Sequence, residues 1–351
     1  MISSRMTLSF GPGVPGTFLI AEVAQAHDGS LGTAHSFIDC AADAGADAVK
    51  FQTHIAAAES TADEPFRVPF SMQDADRTGY WARTGFDAGQ WRGLAERARE
   101  RGLHFLSSPF SVEAVRLLAE IGVPAWKVGS GEVRSHDLLQ AMLDAGGPIL
   151  LSTGMSGWDD IDETVRFLRE REAEIVVMQC TSRYPTPLSA VGLNVLDEMA
   201  RRYDCPVGLS DHSGTPYPAL SAIARGVSVV EVHVTLHRGA FGPDVPASVT
   251  FEELALLSRA RDAFAELVSN PVDKDAMAAS LSELRTTFGK SVAPARALPA
   301  GTVLERGMLA AKKPGSGIPV ARLESLLGRR LARDVRPDRL LRLEDLEASD
   351  A

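Results

Sequence analysis

The chain has 351 residues, 45% hydrophobic and 23% charged, with 30 Gly and 20 Pro, which is the composition of a globular protein long enough for one large domain and a small one. A formal net charge of −10 argues against a polyanion-binding role, although a few local cations would still hold a small anion. No apolar run approaches a membrane span, and the N-terminal Met-Ile-Ser-Ser-Arg-Met-Thr-Leu-Ser-Phe lacks the apolar core of a secretion signal. Cys40, Cys180 and Cys205 show no paired spacing, so neither a disulfide framework nor a zinc finger is implied, and a cytoplasmic protein with reduced thiols is expected.

Short β-branched apolar runs at 17–23, 47–52, 103–107, 125–129, 148–152, 175–180, 206–210 and 228–235 read as eight strands. Helix-patterned segments lie between them at 31–44, 88–101, 112–121, 161–171, 195–203 and 215–225, and a last one at 251–267 follows. Alternating short strands and helices predict a parallel sheet, and eight units in about 250 residues predict a (β/α)8 barrel. A doubly wound sheet is the alternative, disfavoured because no Gly-x-Gly-x-x-Gly turn opens any of the helices. The gap from His54 to Phe86 is long and holds Pro65, Pro69, Tyr80 and Trp81, so it is expected to form a substrate lid at the C-terminal edge of the barrel. Near residue 268 the texture changes to Gly-Pro turns, short strands and a charged tail. The expected division is a barrel at 1–268, a linker at 269–284 and a small β-rich domain at 285–351. So small a domain has little core of its own and is expected to dock onto the barrel or a partner subunit.

Residues two apart on a strand share a face, so Lys50 and Gln52 point one way while Val49 and Phe51 point the other. A lysine inside so apolar a strand demands an anion. Lys127 repeats the device, followed by Ser130 between two glycines and then Glu132; Ser152 and Thr153 precede Gly154. Lysines, hydroxyls and glycines together suit a phosphate, and the plainer reading is salt bridges of Lys50 and Lys127 to Glu22 or Glu132. His212 and His233 close two strands of one βαβ unit, which brings both imidazoles to one edge, as metal ligands or catalytic groups. Each alone would be a strand cap bonded to backbone. Glu231 shares the inward face of its strand with His233 and is read as a partner of that ring. Glu22 is a candidate proton carrier or hydroxyl-orienting group, and Tyr184 and Asp244 lie in loops suited to a polyol.

The segments that carry these residues resemble a known family. They are Ile20-Ala-Glu, the run from Ala42 to Thr53, Phe105-Leu-Ser-Ser-Pro-Phe, Lys127-Val-Gly-Ser-Gly-Glu, Leu151-Ser-Thr-Gly-Met, Gln179-Cys-Thr-Ser-Arg-Tyr-Pro, Gly208-Leu-Ser-Asp-His, Glu231-Val-His-Val-Thr and Gly242-Pro-Asp. In this order they resemble the bacterial sialic acid synthases, the group that also makes legionaminic and pseudaminic acids. Lys312-Lys-Pro-Gly-Ser-Gly-Ile with Leu327-Gly-Arg-Arg resembles the antifreeze-like SAF domain of the same enzymes.

The resemblance implies a transferase that joins phosphoenolpyruvate to a sugar aldehyde, releasing phosphate and forming a 2-keto-3-deoxy sugar acid. It implies a divalent ion on His212 and His233, Mn²⁺ before Mg²⁺ or Co²⁺, polarising the aldehyde oxygen. Lys50, Lys127, Ser130, Ser152, Ser182 and Ser210 would bind phosphoenolpyruvate, with Glu132 near the reacting carbons. Glu22, Gln52, Ser108, Tyr184, Asp244 and Lys313 would contact the acceptor, N-acetylmannosamine or a similar aldose. A homodimer is implied, with the SAF domain closing the partner's site through a basic residue. Three departures stand at these places. The basic residue is Lys313 instead of Arg, Ser182 replaces an Asn, and Ala24-Gln-Ala-His27 replaces Gly-x-Asn-His. They leave open a different aldose acceptor; a non-catalytic sugar- or phosphate-binding protein is the remaining alternative.

Overall fold

The computed structural model describes residues 8–10 and 16–348 and divides into two compact units, 1–269 and 270–351. The leader reading rests largely on residues 1–7, which lie outside the described residues, as do 349–351 of the tail.

In the first unit β1 (Phe18–Ala24), α1 (Leu31–Asp43) and β2 (Ala48–Thr53) come first, then the lid segment with α2 (Ala56–Glu59) and α3 (Arg77–Thr84). Next follow α4 (Ala88–Glu100), β3 (His104–Pro109), α5 (Val112–Ile121), β4 (Trp126–Val128), α6 (His136–Ala145) and β5 (Ile149–Ser152). The unit closes with α7 (Trp158–Arg169), β6 (Ile175–Cys180), α8 (Leu193–Tyr203), β7 (Val207–Asp211), α9 (Tyr217–Ala224), β8 (Val229–Thr235), the two-residue β9 (Val249–Thr250) and α10 (Phe251–Ser269). All eight strands fall within two residues of their expected bounds. The helix α6 and the two lid helices are additions to the sequence reading.

The strands pair in parallel in the order β3-β2-β1-β8-β7-β6-β5-β4, a near-closed barrel of the TIM type ringed by helices. Its interior is layered by strand alternation. Ile20, Ala48, Leu106, Ala125, Leu150, Val176 and Val229 fill the floor, joined by Leu8 and Phe10. Two residues further along the same strands stand Glu22, Lys50, Ser108, Lys127, Ser152, Met178 and Glu231. The period of two therefore turns an apolar floor into a largely polar mouth within one pleat. At Gly208 on β7 an added Cβ would meet Val229 O at 2.7 Å, so only glycine fits the inward position there. The outward faces, including Val49, Phe51 and Trp126, pack against α1, α4 and their neighbours in the main core.

At the end of β1 the pairing register slips between Glu22 and Ala24, and Ala24 adopts φ 49°. This is the position where the resembling family carries glycine; an alanine there holds about 1 kcal/mol of backbone strain. Three residues on, His27 is 1% exposed and stacks on Phe86 at 4.7 Å, and its Nδ1 accepts from Gly29 N at 3.1 Å. Burial, with His54 adding to it, pushes its pKa down from 6.5 to about 3. A ring kept neutral in the fold takes up its proton on unfolding. Its stabilisation is complete above about pH 6.5 and is lost as pH falls from there towards 3. In urea titrations from pH 7 to 5, His27→Gln is expected to lose less stability than the parent, by up to about 1.4 kcal/mol per pH unit. Identical slopes would mean that His27 titrates normally in the fold.

The second unit opens with two short helices, α11 (Lys274–Ser280) and α12 (Ser282–Phe288), where an open linker is expected from the sequence. Asp273 caps the first of them by accepting from Asp275 N and Ala276 N. An antiparallel pair, β10 (Ser291–Pro294) and β11 (Leu309–Lys312), and several single-residue bridges complete it. Val292, Leu298, Leu304, Leu309, Leu331 and Leu341 give it a small core of its own.

Candidate active site

A cavity of about 420 Å³ opens at the C-terminal ends of the barrel strands. Every site residue expected from the sequence lines it except Lys313: Glu22, Lys50, Gln52, Ser108, Lys127, Ser130, Glu132, Ser152, Ser182, Tyr184, Ser210, His212, His233 and Asp244. Lys313 is in the second unit, exposed, with its Nζ 5.2 Å from the centre of the Phe288 ring.

The floor of the cavity is a quartet of buried charges. Lys50 Nζ lies 2.8 Å from Glu22 and 3.7 Å from Glu231, and Lys127 Nζ lies 3.6 Å from Glu231. Lys50 also donates to Ser108 Oγ at 3.1 Å and Lys127 to Ser152 Oγ at 2.7 Å. Two cations and two carboxylates in this arrangement neutralise each other in a region where a lone charge would be costly. Burial pushes the Glu22 pKa up to about 7, with Glu231 adding and Lys50 opposing. Burial also acts on Glu231, but Lys127 and Lys50 outweigh it and hold that carboxyl below its usual range.

Here the sequence reading needs correction. Glu231 makes its ion pairs with the lysines and accepts from Ser210 Oγ at 3.3 Å; it is not the hydrogen-bonding partner of His233. Nor does Glu132 pair with Lys127: it ends the 3₁₀ turn Ser130–Glu132 and accepts from Ser135 Oγ at 2.6 Å. The salt-bridge reading holds for Lys50 and Glu22 alone.

Opposite the quartet, the rings of His212 and His233 have their centres 5.0 Å apart. His212 Nδ1 lies 3.2 Å from Thr181 O, a carbonyl that only accepts, so Nδ1 carries the hydrogen and Nε2 the lone pair. Tyr184 Oη donates to that Nε2 at 2.9 Å. Burial drives both pKa values down to about 3, with the neighbouring His233 lowering His212 further and Glu231 opposing the fall at His233. Two neutral imidazoles, one with its lone pair fixed towards the cavity, suit a divalent ion. Among the described residues no His, Cys, Asp or Glu completes a set of three, so such an ion would be held by two side chains with room for substrate oxygens.

The hydroxyl side lies between β4, β5 and β6. Ser130 Oγ accepts from Gly154 N at 3.0 Å. A Cβ at Gly154 would lie 2.4 Å from Ser182 Oγ and 2.9 Å from Ser130 Oγ, so glycine is what lets these hydroxyls converge.

The remaining wall comes from the lid, where the sequence reading named Tyr80 and Trp81 but assigned no side chain a role. From the lid, Phe66, Arg67, Val68, Phe70, Tyr80 and Trp81 line the cavity. Arg67 lies 3.9 Å over the Tyr184 ring and pairs with Asp244, which ties the lid to the loops after β6 and β8. Pro65 and Pro69 bracket Phe66, Arg67 and Val68, and were the available signal for that part of the wall. His54 continues the alternation of Lys50 and Gln52 and could have been found from it.

A parallel barrel whose mouth joins a buried lysine pair to carboxylates, converging hydroxyls and two neutral imidazoles has the groups that can hold a small multiply charged anion and a polyol. The chain belongs to the NeuB family, whose model matches residues 37–272, and a SAF domain matches 289–347. It is 30% identical to the N,N'-diacetyllegionaminic acid synthase of Campylobacter jejuni, over 93% of this chain and 99% of that one. It is 30% identical to the human N-acetylneuraminate-9-phosphate synthase, over 92% and 90%. A solved N-acetylneuraminic acid synthetase of Leptospira borgpetersenii, in complex with citrate, superposes with a TM-score of 0.67 at 28% identity, covering 78% of this chain and 92% of that one. The relatives are thus synthases of sialic-acid-type sugars. No helix of the described residues is long and apolar enough to cross a membrane.

Proposed function

We propose that the protein condenses phosphoenolpyruvate with a sugar aldehyde to give a sialic-acid-type 2-keto-3-deoxy sugar acid and phosphate. The observation that carries this reading is the meeting, in one cavity, of the buried Lys50 and Lys127 with the neutral His212 and His233. The activities for which the relatives are named support it.

In this reading Lys50 and Lys127 bind the anionic groups of phosphoenolpyruvate, and Ser130, Ser152, Ser182 and Ser210 donate to its oxygens. His212 and His233 would hold a divalent ion, Mn²⁺ or else Mg²⁺ or Co²⁺, which would supply Lewis-acid polarisation of the aldehyde oxygen. Glu22, Gln52, Ser108, Tyr184 and Asp244 orient the aldose so that its carbonyl carbon faces carbon 3 of phosphoenolpyruvate. That carbon attacks, water adds at carbon 2, and phosphate leaves. Glu132, at the rim beside Ser130, moves the proton that water releases. Lys313 reaches the site of the partner in a homodimer as a point charge, without the bidentate fork of an arginine. The location is the cytoplasm.

A second reading concerns the acceptor alone. Arg67 and the aromatic wall of the lid favour an aldose other than N-acetylmannosamine, with apolar substituents against Phe66, Phe70 and Trp81. Phosphate release from phosphoenolpyruvate with Mn²⁺, measured across a panel of aldoses, tests both readings. Release with one N-acylated aldose well above the rest is expected. Release with none would overturn the synthase reading for that panel and favour a binding protein.

A further inference from the structure

We propose that His54 is a positioning residue for this reaction: its Nε2–H holds the Gln52 carboxamide with the amide nitrogen towards Glu22. The proposal deepens the synthase reading and rests on it for the kinetic part.

The geometry is a chain of side chains running from the lid to the buried lysine. Gln52 Nε2 donates to Glu22 Oε1 at 3.1 Å, and Glu22 Oε2 lies 2.8 Å from Lys50 Nζ. With its nitrogen committed to a carboxylate, the amide presents its oxygen on the other side, where His54 Nε2 stands 3.3 Å away. That oxygen only accepts, so the ring hydrogen is on Nε2. His54 Nδ1 in turn lies 2.5 Å from Glu59 Oε1, and Glu59 Oε2 accepts from Ile55 N at 3.2 Å. The Glu59 carboxylate beside Nδ1 opposes the burial that lowers the ring's pKa and favours a hydrogen on both ring nitrogens, an ion pair without net charge.

The ring has little freedom to do anything else. It is sandwiched between Trp81, with centres 3.6 Å apart and planes at 11°, and Phe110, at 4.3 Å and 10°. Trp81 comes from α3 in the lid and Phe110 directly follows β3, so the imidazole is clamped between the lid and the barrel mouth.

A carboxamide turned by 180° would bring its oxygen against Glu22 and its nitrogen against the donor of His54. Glu22 would lose its neutral donor, and the group that orients the aldose would be free to rotate. His54 does not act on substrate atoms in this account; it acts through Gln52. A packing role alone would need the flat ring and nothing more.

The test separates these. His54→Phe keeps the flat ring and removes both nitrogens, and His54→Gln restores a donor at the Nε2 position. In the full-length enzyme, His54→Phe is expected to raise the aldose KM about 10-fold or lower kcat by a similar factor, with phosphoenolpyruvate KM within about twofold of the parent. His54→Gln should recover most of the loss. His54→Phe added to Gln52→Ala should cost little more than Gln52→Ala alone. In parallel, the Tm losses of these single and double variants should fail to sum, a readout independent of substrate. Additive Tm losses would overturn the contact. Non-additive Tm losses with unchanged aldose kinetics would overturn the positioning role. A parent inactive with every aldose, but with non-additive Tm losses, would sink the synthase reading and support the contact.

Discussion

Replacing Lys127 by Met is expected to lower kcat/KM for phosphoenolpyruvate by about 100-fold or more, equivalent to about 3 kcal/mol of lost transition-state stabilisation. The ammonium is 3% exposed, so its interaction with an incoming phosphate or carboxylate is weakly screened. Lys127 is the better probe of the two lysines because the fold survives its loss more easily. Without Lys127, Glu231 keeps Lys50 at 3.7 Å, whereas removing Lys50 would leave Glu22 without its ion-pair partner. The expected pattern is a large effect with phosphoenolpyruvate as the varied substrate, a small one with the aldose, and a Tm that stays well above assay temperature. Equal effects on both substrates would mean that Lys127 serves the quartet and not the anion.

Removing either imidazole, as His212→Ala or His233→Ala, is expected to abolish Mn²⁺ retention in equilibrium dialysis and phosphate release with it. A site with only two protein donors has no spare one, so the loss in metal affinity should be at least about 100-fold. The measurement of bound metal matters more than the rate. His212 also receives the Tyr184 hydroxyl, and His212→Ala disturbs that side chain as well. His233→Ala is the cleaner variant. Full Mn²⁺ content in it would remove His233 from the ligand set whatever happens to the rate.

The barrel was readable because its strands are short, β-branched and evenly spaced, and each inward residue is two positions from the next. That period alone placed Lys50, Gln52 and Lys127 in the mouth. It was silent on partners. Residues two apart on one strand are about 7 Å apart, while a residue across the barrel can be nearer. Glu231 was therefore assigned to His233 on its own strand, although Lys127, from β4 on the far side, lies 3.6 Å away. The lid was legible only as a long gap. Its helices α2 and α3 are short, carry no long apolar stripe, and are held by local bonds, Ile55 N to Glu59 and Gly79 N to the cap Asp76. Contacts such as Arg67 on Tyr184 join segments more than a hundred residues apart, beyond the reach of any local pattern. The resemblance supplied roles for side chains that geometry alone leaves unassigned, Ser108 and Ser182 among them.

The charge quartet has a bearing on how such a site can change over generations. The four are linked in series, Glu22 to Lys50 to Glu231 to Lys127, so substituting either middle member, Lys50 or Glu231, leaves a buried charge without its counterpart, at a loss of roughly 3–5 kcal/mol. Single steps at its centre are costly, and the half of the cavity that would take the anion is constrained by them. The lid wall is under no such constraint. Val68 is half exposed, and Phe66 and Phe70 contact each other and Tyr80 through ring edges, so each can be exchanged at the small cost typical of surface positions. The two halves of the mouth are thus free to drift at very different rates, and under the proposed function the chemistry would be inherited as a block and the choice of sugar one loop residue at a time.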